Sequence, residues 1–249
     1  MTIDYKDSKR IVGLSTDARP TNPETNSILV EKNTADRYWY NGTSWLPTWT
    51  FTDNLSDDTL WTPVGSGITV TGGEISIAGV TTGSGNYLWR SLSHVLSDTL
   101  WTMELDYRST AQTGSAVFAP FGVRNSVGAL YTTGTGVNEF FMRDDTDNAL
   151  LGPWTNTKDT TRGSASSIAW TEGSFYYPRM GRTTATTSKY QLFSNTGRTS
   201  QVGSTQTHTS VPSTLTGLTH FVSGGGSAGG GTSTGKIDNI YISESDLFT

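Results

Sequence analysis

A chain of 249 residues with no cysteine, a formal net charge of −5 and only 16% charged side chains excludes several chemistries at once. Disulfide frameworks, Cys-ligated zinc and thiol catalysis are ruled out, and the lack of any Lys/Arg cluster argues against nucleic acid, whose phosphates demand a basic footprint. Aromatics reach 11%, with 8 Trp and 10 Tyr among many Thr, Ser and Gly, a balance suited to β-strands packed around a few large rings.

Residues 1–22 mix Lys6, Lys9 and Arg10 with Asp4, Asp7 and Asp17 and run on to Pro20 and Pro23, which predicts an extended lead-in. The opening Met1–Asp7 lacks the apolar stretch of a secretory signal, and no run is long enough to cross a bilayer. A polar chain of extracellular style without such a signal fits a virion component, exposed only on release, or a piece of a longer exported protein. Next come a strand at Ile28–Val30, a turn at Lys32–Asp36 and a strand at Arg37–Tyr40. Asn41-Gly42 then signals a hairpin, because both central positions of a type I′ turn need positive φ, and Thr43–Trp45 returns. This pattern resembles the small β-meanders of phage tail and fibre proteins; an ordinary hairpin packed on the main domain is the alternative. The resemblance implies that residues 1–48 serve attachment or oligomerisation. Tyr38, Trp39, Tyr40 and Trp45 need a partner to cover them, since so small a sheet is marginal in water. A homo-oligomer is therefore expected, a trimer or a subunit of a larger shell.

From Trp49 the strands come quickly. Ile68–Val70 and Glu74–Ala78 flank Gly72-Gly73, a second hairpin signal, and Asn86–Leu92 follows. Trp101, Met103, Leu105 and Tyr107 alternate with Thr102, Glu104, Asp106 and Arg108, the period-2 pattern of a strand with one buried face. Val117, Ala119, Phe121 and Val123 do the same. Further strands are expected at Glu139–Arg143, Ser174–Arg182, Lys189–Ser194, Leu218–Ser223 and Lys236–Ser243. Leu55–Thr62 echoes Leu96–Thr102, but two copies without matching flanks do not make a solenoid; each reads as a turn delivering a Trp into a strand. The run Gly224–Gly231 lacks the Lys of a phosphate loop and is expected to be a mobile loop. No segment keeps a 3.6-residue apolar period. The late run Gly235-Lys236-Ile237-Asp238-Asn239-Ile240-Tyr241-Ile242 resembles the closing strand of concanavalin-A-like (laminin-G/jelly-roll) domains. That resemblance implies an all-β, antiparallel two-sheet jelly-roll sandwich over residues 49–249, and a surface-recognition module rather than a catalyst.

Three chemistries have candidate residues. Retaining glucanases of this fold carry E-x-D-x-E or E-x-D-x-x-E on one strand face, because retention needs two carboxyl groups about 5 Å apart. Glu104-Leu105-Asp106 begins such a pattern, but Tyr107, Arg108 and Ser109 follow, so the acid is missing. The pair reads more simply as the solvent face of a strand, and no catalytic residue is assigned. His94, His208 and His220 form no lyase motif. Asp144, Asp145 and Asp147 make the densest oxygen cluster, with Asp238 a further possible ligand; calcium is the ion they would take, and a plain acidic turn is the alternative. For a glycan, aromatic faces and polar groups on loops are needed, and Trp154, Tyr131, Asn125 and Arg124 are the candidates; Trp61, Trp89 and Trp101 read as core. The expected role is a non-enzymatic virion or surface protein that binds a glycan or host surface and other subunits, without nucleic acid or membrane insertion. An extracellular cellular lectin-like module, a polysaccharide-degrading enzyme or a decoration without a ligand are the alternatives.

Overall fold

The computed structural model describes residues 4–7, 10–13, 18–21, 23, 27–31, 37–40, 45–47, 49–81, 83, 85–113, 117–131, 137–145, 150–157, 161–164, 168–226, 231–244 and 247–248. Two compact units divide the chain: Met1–Thr50 with Ser243–Ser245, and Phe51–Ile242 with Asp246–Thr249.

The first unit is a five-stranded sheet in chain order, β1 (Asp4–Asp7), β2 (Arg10–Gly13), β3 (Ile28–Glu31), β4 (Arg37–Tyr40) and β5 (Trp45–Pro47). Pairing is antiparallel except between β2 and β3, which run parallel with Ile11 opposite Leu29. Residues 1–22, expected as an extended lead-in, thus supply two strands; both are four residues long, too short for an alternating pattern to declare them. Leu29 and Tyr40 are buried, and the Arg19 guanidinium lies 3.6 Å from the centre of the Tyr38 ring. The Asn41-Gly42 turn lies outside the described residues, while Tyr40 and Trp45 pair across it.

The second unit begins with β6 (Thr50–Asp53), a 3-10 turn at Asp58–Leu60, β7 (Thr62–Val64), β8 (Ile68–Thr71), β9 (Glu74–Thr81) and β10 (Tyr87–Ser91). It continues with β11 (Trp101–Thr113), β12 (Val117–Phe118), β13 (Gly122–Arg124), β14 (Asn138–Asp145), β15 (Leu150–Thr157), β16 (Thr161–Ser164) and β17 (Ile168–Ala169). It closes with β18 (Arg179–Thr184), β19 (Thr187–Phe193), β20 (Gln201–His208), β21 (His220–Ser223) and β22 (Thr232–Ser243). One sheet is ordered β16-β15-β14-β13-β21-β10-β7, with β12 on β14 and β17 on β15. The other is ordered β20-β19-β18-β11-β22-β9-β8, with β6 on β22. The architecture is the antiparallel two-sheet jelly roll.

The alternation in β11 does what it predicts: Trp101, Met103, Leu105 and Tyr107 are at most 1% exposed. They face the other sheet, Trp101 edge-on to Phe140 at 5.1 Å and Tyr107 to Phe121 at 5.5 Å. Gly72 and Gly73, at φ 62° and 82°, link β8 to β9 with Thr71 opposite Glu74, the backbone a type I′ turn requires. The two echoing segments each bury a leucine and a tryptophan, Leu55 with Trp61 and Leu96 with Trp101.

Two expectations fail here for physical reasons. Gly224–Gly226 do not form a mobile loop. They are buried and at positive φ, with Gly225 bridging Leu130 and Gly226 bridging Phe118; residues 227–230 lie outside the described residues. Asp144 and Asp145 do not sit in a loop either. They continue β14 opposite Leu151 and Leu150, because backbone pairing to β15 persists to the last residue before the connection.

Candidate functional site

The residues singled out for a glycan gather along one sheet, yet two of them are taken up by the protein itself. Arg124 ends β13 at 6% exposure and donates from Nη1 to the Ala129 carbonyl at 2.6 Å. Its Nε stands 3.9 Å from the fully buried Glu139 carboxylate. Asn125 Oδ1 accepts from the Asn138 amide at 3.0 Å. Tyr131 stands edge-on to Phe141 at 5.6 Å, against a small core of Ala119, Leu130, Phe141 and Val222. These contacts fasten residues 125–131 down on the sheet, so the expectation that Arg124 offers a loop-borne ligand group is corrected. Trp154 is also not in a loop: it lies in β15, its backbone opposite Phe141. Trp61 and Trp101 are buried as expected.

The acidic residues do not converge. Asp144 and Asp145 are on β14 and Asp238 is on β22, in different sheets, while Asp147 lies outside the described residues. Among the described residues no group of three His, Cys, Asp or Glu could hold a metal.

The groups that do converge lie on the outer face of the β11 sheet. Since Trp101, Met103, Leu105 and Tyr107 point inward, Glu104, Asp106 and Arg108 point out by strand alternation. Glu104 is opposite Arg179 in β18 and accepts from its Nε at 2.6 Å, while Arg198 Nε lies 3.4 Å from the same oxygen. Arg198 Nη2 stands 3.5 Å from Asp106 and donates to the Leu105 carbonyl at 3.1 Å. Arg198 reaches this position because its backbone turns to φ 49° inside a loop held by Asn195, whose Oδ1 accepts from the Thr199 and Ser200 amides. On the other flank Asn239 Nδ2 donates to Asp106 Oδ2 at 2.8 Å. Burial pushes the Asp106 carboxyl above the usual carboxylate range; the charges of Asp238 and Glu104 add to this, and Asn239 and Arg198 hold it back. Its folded-state pKa being raised, this group favours the folded state more at acid pH and loses that contribution as pH rises through the carboxylate range.

Aromatic rings edge this polar strip. Tyr176 bridges to Tyr107, which sets its neighbours Phe175 and Tyr177 on the outer side. Phe175 is 43% exposed, with the Arg108 guanidinium 5.2 Å from its ring centre. Tyr177 lies 6.0 Å from the Arg198 guanidinium. Arg179 also approaches the Phe193 ring at 5.2 Å and donates to the Leu247 carbonyl. Phe175, Tyr177, Arg198 and Asn239 were missed in the sequence because the strip joins four segments far apart in the chain.

No family model matches this chain, and no curated protein does. Solved structures do match its fold. The CBM2 module of the evolved Dit of Lactobacillus casei BL23 phage J-1 aligns over 80% of this chain and 98% of its own, at TM-score 0.52 and 10% identity. Arcelin-5, a lectin-like defence protein from Phaseolus vulgaris, aligns over 79% and 97%, at 0.50 and 11%. SCLam, a non-specific endo-β-1,3(4)-glucanase of family GH16, aligns over 78% and 93%, at 0.50 and 11%. At these identities the shared property is the fold, the concanavalin-A-like jelly roll.

Proposed function

We propose that the second unit is a non-enzymatic glycan-recognition domain, carried on a virion or another surface assembly through the first unit. The observation that supports this most is the pinned state of Glu104 and Asp106. A retaining glycosidase needs one free nucleophilic carboxylate and one protonated acid about 5 Å away. Here Glu104 is held by two guanidiniums, Asp106 by Arg198 and Asn239, and the next outward position on the strand is Arg108. Fixed carboxylate, amide and guanidinium groups beside the exposed Phe175 ring and the half-buried Tyr177 ring are instead the equipment of sugar recognition. A phage CBM2 module and a lectin-like defence protein among the structural likenesses support the same reading, and fold likeness alone would not carry it.

A glycan array separates this reading from a purely structural one, with binding to at least one glycan expected. A reducing-sugar assay over β-glucans, agars and alginates is expected to show no turnover. Turnover abolished by Glu104→Gln would overturn the non-enzymatic reading. For the first unit, removal of residues 1–48 is expected to leave a folded, monomeric jelly roll, while the full chain is oligomeric. Light scattering that finds the full chain monomeric at micromolar concentration would remove the attachment role.

A further inference from the structure

The inward-facing residues of β22 are Ile237, Ile240 and Ile242, so the period of two is broken once, between Ile237 and Ile240. The extra residue is Asn239, at φ 50°. This is a bulge of the kind in which one residue turns left-handed, a conformation Asn tolerates better than other non-glycine residues. Its effect is local: Asp238 and Asn239 both emerge on the outer face, where β6 pairs with β22. A cleft of about 430 Å³ opens there, lined by Thr52, Asp53, Asn54, Asn239, Ile240 and Tyr241.

The hydrogen-bonding capacity left over in this cleft is specific. Asn54 Oδ1 is taken by the Ser56 amide and hydroxyl, which leaves its Nδ2 as a donor. Asn239 Nδ2 is taken by Asp106, which leaves its Oδ1 as an acceptor. The hydroxyls of Thr52 and Tyr241 have no protein partner among the described residues. Asp53 contributes no spare charge, since Oδ1 accepts from the Leu55 amide at 2.7 Å and Oδ2 from Trp61 Nε1 and Arg90. A donor, an acceptor, two hydroxyls and one partly exposed aromatic ring match the vicinal hydroxyls and apolar face of a pyranose.

We propose that this cleft holds one neutral sugar residue of the bound glycan, a subsite adjoining the Glu104–Asp106 strip and joined to it by Asn239. It rests on the glycan reading above and adds its ligand class. Uronate, sulfated and sialylated residues are disfavoured, because no Lys or Arg is among the described residues that line the cleft, the nearby Arg90 is spent on Asp53, and the neighbouring Asp238 adds a negative charge.

The test compares the full chain with Tyr241→Ala, Asn54→Ala and Asn239→Gly on one array of neutral and acidic oligosaccharides, with thermal melts alongside. Glycine keeps the left-handed bulge without strain, so Asn239→Gly removes the amide and spares the strand. Neutral oligosaccharides are expected to bind, with about tenfold weaker binding for each variant while each still melts as a cooperatively folded domain. If a neutral glycan binds equally well to all four proteins, the cleft is not its site and the broader glycan reading survives. Binding restricted to acidic oligosaccharides overturns the proposal. A blank array for the unaltered chain removes both readings together.

Discussion

Asp53→Ala is expected to destabilise the second unit by about 3 kcal/mol, because its carboxylate holds a buried polar cluster together. Asp53 is 8% exposed, and three donors converge on it: the Leu55 amide, Trp61 Nε1 and the Arg90 guanidinium. Arg90 in turn lies 5.0 Å from the Phe51 ring centre and 5.8 Å from that of Trp61. Truncation strands a half-buried cation and a buried indole N–H together, and an unpaired buried donor costs more than the bond it lost was worth. For a domain of this size about 3 kcal/mol corresponds to roughly 6–12 °C in melting temperature. Asp53→Asn keeps one acceptor oxygen and is expected to lose about half as much. Urea midpoints for both variants check this, and a loss under about 0.5 kcal/mol for Asp53→Ala would mean the cluster is solvated.

Gly225→Ala is expected to cost a similar amount, about 3 kcal/mol, from backbone rather than charge. Gly225 sits at φ +133°, and a Cβ there would come within 2.1 Å of the Leu130 carbonyl oxygen and 2.6 Å of its nitrogen. The bridge to Leu130 and the bond from the Ala119 amide to the Gly225 carbonyl would both have to move. Loss of Leu130 from the outer small core follows. Gly79→Ala is the comparison: its positive φ gives strain, but nothing lies within 4 Å of the added atom, so it is expected to lose only about 1 kcal/mol. Equal losses at the two sites, measured by denaturant unfolding, would sink the steric account.

What the sequence reveals depends on where a residue sits in the sandwich. β11 is legible because one face meets the opposite sheet and the other meets polar groups, so the alternation survives in the letters. β20 (Gln201–His208) is not, since it is an edge strand whose residues are all exposed or half-exposed. With no buried face it has no apolar period: Val202 stands alone among Gln, Gly, Ser, Thr and His. The run Gly224–Gly226 misled for the opposite reason: glycine marks both slack chain and chain too crowded for a Cβ, and only the neighbours tell them apart. The candidate strip was half legible. Glu104 and Asp106 follow from their strand, but Arg179, Arg198 and Asn239 come from distant segments that only folding unites. The cleft did leave a trace, in the three-residue step from Ile237 to Ile240 beside the two-residue step from Ile240 to Ile242.

The position of β22 also bears on how the molecule is made. It lies between β11 and β9, with β6 beside it as well, and Ile77 pairs with Gly235 across most of the second unit. A nascent chain that has emerged as far as β20 therefore holds a β8–β9 hairpin and a β11-β18-β19-β20 group with nothing to join them. Both fragments present an open edge where the missing strand belongs, and such edges are templates for pairing with other chains. Contacts this remote in sequence also form slowly. Translation must run almost to the end of the domain before either half of this sheet is sealed, which makes the interval on the ribosome the period of greatest exposure to misassembly.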